Sequence, residues 1–330
     1  EKIVPENIMA SVFDAASKVV YVGGDNGRFG KYTPATDTFV DLTSKISSFW
    51  GSYDVLALAL DASSGIVYLG GGTGGTAPRF AKYTISTDTA ADLTARVSGI
   101  APSDEIWSMA LDPANNILYL GFGDRKLGRY NTASYAGGGT YPLADTAYNL
   151  TAKISGVIAS SLDEIFALAF DQTNQVLYLG VEAGQLVRYN TTGYTAGGTY
   201  PLADTAYSLT SKMASAGFTS AKDIFAIALD QPNQVLYVGG GSGRELVRYN
   251  TSFYTAGGAY PLQDTAYSLT SKITGIFTSG ASNIQSLTMD SSAGALYIGG
   301  DQNSANFARL AKYTPSTDIA TDLTSQIAAF

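Results

Sequence analysis

Six copies of one four-stranded unit, forming an all-β, six-bladed β-propeller with four antiparallel strands per blade, are what this chain predicts. Three observations carry the expectation. An Asp recurs at Asp14, Asp61, Asp112, Asp171, Asp230 and Asp290. A Tyr-x-Gly follows each, at Tyr21, Tyr68, Tyr119, Tyr178, Tyr237 and Tyr297, with the glycines at Gly23, Gly70, Gly121, Gly180, Gly239 and Gly299. The Asp spacings of 47, 51, 59, 59 and 60 residues mark a repeat protein, and turn signals about every ten residues favour a propeller over a sandwich. The 330 residues are read as one domain, with blades at about 7–50, 51–102, 103–161, 162–220, 221–280 and 281–330.

Within the third copy, strand A is expected over Ile106 to Leu111, strand B over Ile117 to Gly121, strand C over Lys126 to Tyr130, and strand D over Thr146 to Thr151. The A–B turn, Asp112-Pro113-Ala114-Asn115-Asn116, suits Asp and Asn, whose side chains bond nearby amides and which tolerate left-handed φ. Strand A alternates large with small residues. In the fourth copy Phe166, Leu168 and Phe170 alternate with Ile165, Ala167 and Ala169, as expected of a strand buried on both sides at a crowded axis. Strand D of the sixth copy is placed at Asp318 to Ile327, and closure is expected from side-chain packing of the first blade on the last.

Composition narrows the chemistry. The chain has no Cys and no His, which excludes disulfides, thiolate catalysis, ordinary zinc sites and any His-based nucleophile system. Net charge is −8, which argues against a nucleic-acid partner. Charged residues are only 15%, below the roughly 25% of typical domains. No apolar run reaches the roughly 18 residues of a spanning helix, so no membrane span is expected.

The strand-B segments Val20-Tyr21-Val22-Gly23-Gly24 and Leu236-Tyr237-Val238-Gly239-Gly240, with the Asp closing strand A, resemble YVTN-type propeller repeats. That resemblance implies a secreted or surface-layer protein of bacteria or archaea and identifies no activity. The Gly-His and Trp-Asp marks of WD repeats are missing, as are the Ser-x-Asp-x-Gly boxes of sialidases.

Three constellations are candidates for function. One polar residue precedes each strand A: Asn7, Asp54, Glu105, Glu164, Asp223 and Asn283. Sixfold repetition would gather these oxygens at one channel mouth, a donor set suited to Ca²⁺, with Asp54, Glu105, Glu164 and Asp223 as metal candidates. The ring resembles that of calcium-dependent lactonases of the gluconolactonase kind, whereas the plainer reading makes each residue a turn cap. Two residues on stand Met9, Leu56, Trp107, Phe166, Phe225 and Gln285. Trp107, Phe166 and Phe225 beside carboxylates suit a sugar-stacking platform, or else ordinary blade packing.

The third constellation is an insertion between strands C and D in copies three to five. It carries Tyr135 and Tyr141, Tyr194 and Tyr200, and Tyr254 and Tyr260 around Gly-Gly turns, where the other copies keep a short turn such as Pro34-Ala35-Thr36-Asp37. These tyrosines are expected to be partly exposed and to meet a partner; the plainer reading is cover for an edge strand. The cation before each strand-C Tyr (Lys31, Lys82, Arg129, Arg188, Arg248 and Lys312) is read as a structural partner of a nearby Asp or Tyr face. Asn149, Asn190 and Asn250 open glycosylation sequons.

Together these readings favour a non-enzymatic extracellular or cell-surface module, binding a glycan or surface protein in adhesion, or assembling with copies of itself. It needs no cofactor. The alternative is a lactonase-like hydrolase that holds Ca²⁺ at the channel mouth and polarises a carbonyl.

Overall fold

The structure is a computed structural model that describes residues 8–74, 77–133, 143–194, 200, 202–219, 222–241, 243–254, 262–278, 283–302 and 307–327. The chain is a six-bladed β-propeller whose blades are four-stranded antiparallel sheets in simple A-B-C-D order. Backbone contacts divide it into two compact units.

The first unit, Glu1–Ala152 with Ser160–Ile165, holds three blades. These are β1 (Ile8–Asp14), β2 (Val19–Gly24), β3 (Phe29–Thr33) and β4 (Thr38–Asp41); then β5 (Asp54–Asp61), β6 (Ile66–Gly72), β7 (Arg79–Thr84) and β8 (Thr89–Asp92); then β9 (Ile106–Asp112), β10 (Ile117–Phe122), β11 (Leu127–Asn131) and β12 (Thr146–Asn149). The second unit, Lys153–Ala159 with Phe166–Phe330, takes up the remaining three. They comprise β13 (Ile165–Asp171, whose opening Ile165 falls in the first unit), β14 (Val176–Val181), β15 (Gln185–Asn190) and β16 (Thr205–Ser208); β17 (Ile224–Asp230), β18 (Val235–Gly240), β19 (Leu246–Asn250) and β20 (Thr265–Ser268); and β21 (Ile284–Asp290), β22 (Ala295–Gln302), β23 (Phe307–Thr314) and β24 (Ile319–Asp322).

Each A–B turn is built by its Asp. The Asp14 carboxylate accepts the Ala16 amide at 2.9 Å and the Ser17 hydroxyl at 2.6 Å. Asp112 and Asp171 each accept a carboxamide N–H at 2.8 Å, from Asn115 and Asn174. The last turn residue (Lys18, Gly65, Asn116, Gln175, Gln234 or Gly294) is left-handed, with φ between 54° and 66°. The side-chain bond thus holds a backbone conformation that most L-residues resist.

A second Asp series sits before strand D. Asp37, Asp88, Asp145, Asp204, Asp264 and Asp318 all adopt φ between 51° and 55°. Each accepts the phenol of its own strand-C tyrosine, from Tyr32 at 3.0 Å to Tyr83 and Tyr189 at 2.7 Å. Burial, seconded by this bond, pushes the Tyr83 and Tyr130 phenols far above their ordinary range. Five of these carboxylates also take a cation from the preceding blade: Lys45 to Asp88 at 2.7 Å, Arg96 to Asp145 at 2.6 Å, Lys153 to Asp204 at 2.5 Å, Lys212 to Asp264 at 3.1 Å and Lys272 to Asp318 at 2.5 Å.

Those cations stand on short helices that the sequence reading counted as the end of strand D. They are α1 (Thr43–Trp50), α2 (Thr94–Val97), α3 (Thr151–Ile154), α4 (Thr210–Ser215), α5 (Thr270–Ile273) and α6 (Thr324–Ile327). The change of direction has a local cause. The residue closing strand D accepts the amide two residues on, as when Asp41 binds Thr43 N–H at 2.8 Å and Asn149 binds Thr151 N–H at 2.8 Å. The threonine hydroxyl in turn accepts a strand-C amide, Phe29 N–H at 3.2 Å for Thr43. Such side-chain turns compete with strand pairing and start helices. Among the described residues no helix is long and apolar enough to cross a membrane.

Blades meet at the Tyr-x-Gly glycine. A Cβ added at Gly70 would lie 2.6 Å from Ile106 Cγ2, one at Gly180 2.5 Å from Ile224 Cγ2, and one at Gly239 2.6 Å from Ile284 Cγ2. Gly180→Val should therefore destabilise the fold by about 1–3 kcal/mol through overpacking, read as a lower denaturant midpoint; an unchanged midpoint would mean the blades can part there freely.

The turn carboxylates also set a pH dependence. Hydrogen bonds from Ser17 and Ser292 hold Asp14 and Asp290 below the usual carboxylate range, and the Lys45 and Lys272 ammonium groups do the same for Asp88 and Asp318. Depressed folded values stabilise the protein above the unfolded value of about 3.9, and that contribution is lost as pH falls through the folded values. The urea midpoint should hold steady at neutral pH and drop below about pH 4, with a shallower acid-side drop in Asp14→Asn.

Candidate functional site

The entry of strand A is irregular in the same way in blade after blade. Pairing with strand B runs Val55 to Gly71 and then Ala57 to Gly70, Ile106 to Phe122 and then Ser108 to Gly121, and Ile224 to Gly240 and then Ala226 to Gly239. One residue is skipped each time: Leu56, Trp107 and Phe225, and likewise Met9 and Gln285. A β-bulge re-aims the extra side chain and loosens it from the ladder. The small residues that follow, such as Ala57 and Ala226, are buried, while Leu56, Trp107, Phe166 and Phe225 stay half-buried. Strand A is thus buried on one face and half-open on the other, where the sequence suggested burial on both.

In the second unit Phe166 and Phe225 form a tilted pair, with ring centroids 5.1 Å apart and planes at 59°. Gly241 lies against Phe225: a Cβ there would sit 2.7 Å from Phe225 Cε2 and 3.4 Å from Asn283 Oδ1. Two aromatic faces, an amide and the neighbouring Asp223 therefore share one place. In the first unit Trp107 occupies the same bulge position next to Glu105, whose buried side chain covers Gly72.

The acids before strand A have structural partners. Asp54 accepts the amide of Asn26 at 2.9 Å, and Asp223 accepts that of Ala183 at 3.0 Å. Both amides belong to left-handed residues, φ 53° and 57°, in the tight turn after strand B of the preceding blade. These carboxylates pin a neighbour's turn, an interblade version of the capping role. Among the described residues no group of three or more acidic side chains is close enough to hold a metal ion. Asn7 lies outside the described residues.

The hairpin tyrosines depart from expectation. Tyr194, Tyr200 and Tyr254 are 8%, 9% and 3% exposed, so these three are core side chains and not open contact groups. Tyr135, Tyr141 and Tyr260 lie outside the described residues. The reason is the arginine beneath. Arg188 is fully buried, with Tyr200, Phe253 and Tyr194 ring centroids 4.1, 4.9 and 5.4 Å from its guanidinium and a hydrogen bond to Ser252 Oγ at 3.0 Å. Arg248 packs on Tyr267 at 4.5 Å. Stacking of this kind offsets part of the cost of taking the charge out of water.

A sequence signal for this existed and went unused. Blades with the insertion carry Arg129, Arg188 and Arg248, whereas those without it carry Lys31, Lys82 and Lys312. Two sequon asparagines serve the same hairpins. Asn190 and Asn250 are fully buried and donate to the Leu202 and Leu262 carbonyls at 2.9 and 2.7 Å. A glycan on either nitrogen would have no room; Asn149 alone of the three sequons is exposed.

The turn-pinning role makes a sharp expectation. Asp223→Ala should cost about 1 kcal/mol by stranding the Ala183 amide, while Asp223→Asn, which keeps the acceptor, should stay near wild type by urea denaturation. Equal losses in both variants would mean that the charge itself is required.

No family model and no curated protein matches the chain. Among solved structures it is similar to the GH74 xyloglucanase from Xanthomonas campestris, with a TM-score of 0.62 and 16% identity over 96% of this chain. The chain spans 45% of that protein's length, and the likeness is one of fold.

Proposed function

We propose that the chain is a non-enzymatic, extracellular or cell-surface propeller that recognises a glycan through the aromatic residues on its strand-A bulges. The observation that carries this reading is the bulge itself. Its geometry repeats while its residue changes from Met9 and Leu56 to Trp107, Phe225 and Gln285. A fixed frame with a varied side chain, half-buried or exposed, is how a repeat scaffold presents recognition groups. Phe166 and Phe225 offer faces for the C–H surface of a sugar ring, and the Asn283 amide and Asp223 offer polar partners for hydroxyls.

Other features support the reading. The sequence supplies no thiol or imidazole, and the acids at the candidate ring, Asp54 and Asp223, are engaged in holding turns. The YVTN-type strand-B motif favours display outside the cell. The xyloglucanase of similar fold makes xyloglucan a reasonable first probe.

Affinity electrophoresis in gels containing soluble xyloglucan, mixed-linkage β-glucan or mannan should show retardation of the protein in at least one. Phe166→Ala/Phe225→Ala should abolish it without lowering the melting temperature by more than a few degrees, and no reducing sugar should be released. Undiminished retardation of the double variant, or retardation in none of these gels, would overturn the reading.

A further inference from the structure

The third and fourth blades carry the same strand-C pair, an arginine and an asparagine two residues on, and bond it differently. In the third, Arg129 Nε donates to Asn131 Oδ1 at 2.9 Å. In the fourth, the corresponding atoms, Arg188 Nε and Asn190 Oδ1, are both buried without a hydrogen-bond partner. The Asn190 carboxamide is committed through its nitrogen, which donates to the Tyr200 and Leu202 carbonyls at 3.1 and 2.9 Å. Arg188 Nη2 is likewise buried and unpartnered, so its guanidinium is used only at Nη1, in the bond to Ser252 Oγ.

Two needs therefore meet at one edge of Arg188, a hydrogen-bond acceptor and a negative charge. The side chain is 1% exposed, and its partners are a hydroxyl and three rings, none of them an anion. A buried lysine can relieve its burial by losing a proton, but a guanidinium keeps its charge. Ring faces offset part of that cost, and a buried charge without a counter-charge stays strongly destabilising. The acids around it are engaged. The C–D connection of this blade, residues 191–204, contains a single one, Asp204, which takes Lys153 and the Tyr189 phenol. Asp264 accepts the Tyr200 phenol at 3.3 Å, and also Lys212 and the Tyr249 phenol. Asp171, at the end of strand A, accepts from the Asn174 amide and carboxamide.

We propose that the Nε–Nη2 edge of Arg188 is a buried binding site for a small monovalent anion of the halide class, chloride first. The two N–H groups on that edge point the same way, so a single acceptor can take both. A site closed to bulk solvent at both nitrogens suits a monatomic ion better than a polyatomic one. A water molecule could accept the hydrogen bonds but would bring no charge. Arg188 also bonds Ser252 and stacks on Phe253, both in the fifth blade. The anion thus sets how firmly the fourth and fifth blades hold together. The site shares no residue with the Phe166 and Phe225 pair, and its success or failure is independent of glycan binding.

Thermal melting of the full chain at constant ionic strength tests this. Replacing sodium gluconate, whose anion is too bulky for the site, by sodium chloride should raise the melting temperature by a few degrees, because the ion binds the folded state alone. Arg188→Met, which keeps an apolar stem and removes the charge, should show no such rise. Crystals soaked in sodium bromide give a readout that needs no variant: an anomalous peak in contact with both Arg188 Nε and Nη2 is the expected result. Water alone at that edge, a bromide peak only elsewhere, or the same chloride response in wild type and Arg188→Met would overturn the proposal. Where Arg188→Met does not fold, the bromide peak decides.

Discussion

The close approach of one blade to the next at the Tyr-x-Gly glycine governs the rest of this structure. Where Ile106, Ile165 or Ile224 enters, a side chain on the facing strand would have to occupy the same space. Glycine is thus required by a neighbour and not by its own backbone. The close approach in turn dictates small residues at the flanking strand-A positions, Ala57, Ala167 and Ala226, all buried. Large residues are displaced to the other face of strand A, and the bulge that skips one of them lets the strand bend into the next blade. The half-buried aromatic row of the candidate site is therefore a by-product of interblade packing before it is anything functional.

Lateral contacts at the rim work by a different physics. Apolar packing near the glycine is insensitive to pH and salt. The left-handed Asp before strand D, in contrast, joins a buried phenol of its own blade to a cation of the preceding one. Singly, exposed pairs of this kind contribute little, about 0–1 kcal/mol each. Their value lies in geometry: the carboxylate fixes a strained turn, orients the tyrosine that fills the blade, and sets the spacing to the neighbouring helix. Six of the chain's acids have this duty, in a chain of only 15% charged residues.

The fold was legible because its determinants are local and repeated. Asp14 and its five counterparts announce the A–B turn, and the Tyr-x-Gly glycine announces the blade contact. The helices were missed because the Thr that starts each one is also a good strand residue. What converts it is a side-chain bond from Asp41 or Asn149 two positions earlier, a signal that composition hides. At the candidate site the sequence showed which residues precede and open strand A, and not what they bond. Asp54 and Asp223 stand where the repeat placed them, but their bonds run to turns of a preceding blade at separations of 28 and 40 residues, which no spacing argument reveals. The hairpin tyrosines were read as recognition groups because Tyr favours interfaces and cores alike, and only the buried Arg188 decides between the two.

That arginine shows how the three middle blades differ from the others. A lysine at this position, half-buried at Lys31, Lys82 and Lys312, can run its stem along the sheet and keep its ammonium in water. Where Tyr194, Tyr200 and Phe253 close over it, a compact, strongly hydrated ammonium becomes costly, whereas a planar guanidinium can lie against aromatic faces. The tyrosines and Ser252 then follow as the means of accommodating it, while the Asn190 and Asn250 carboxamides, each two residues on from its arginine, hold the Leu202 and Leu262 carbonyls. Insertion, arginine and asparagine are one coupled change. They put Tyr194, Tyr200 and Tyr254 in the core of their blades, and they leave the strand-A bulges as the candidate recognition surface. There the residue varies from blade to blade while the frame around it does not.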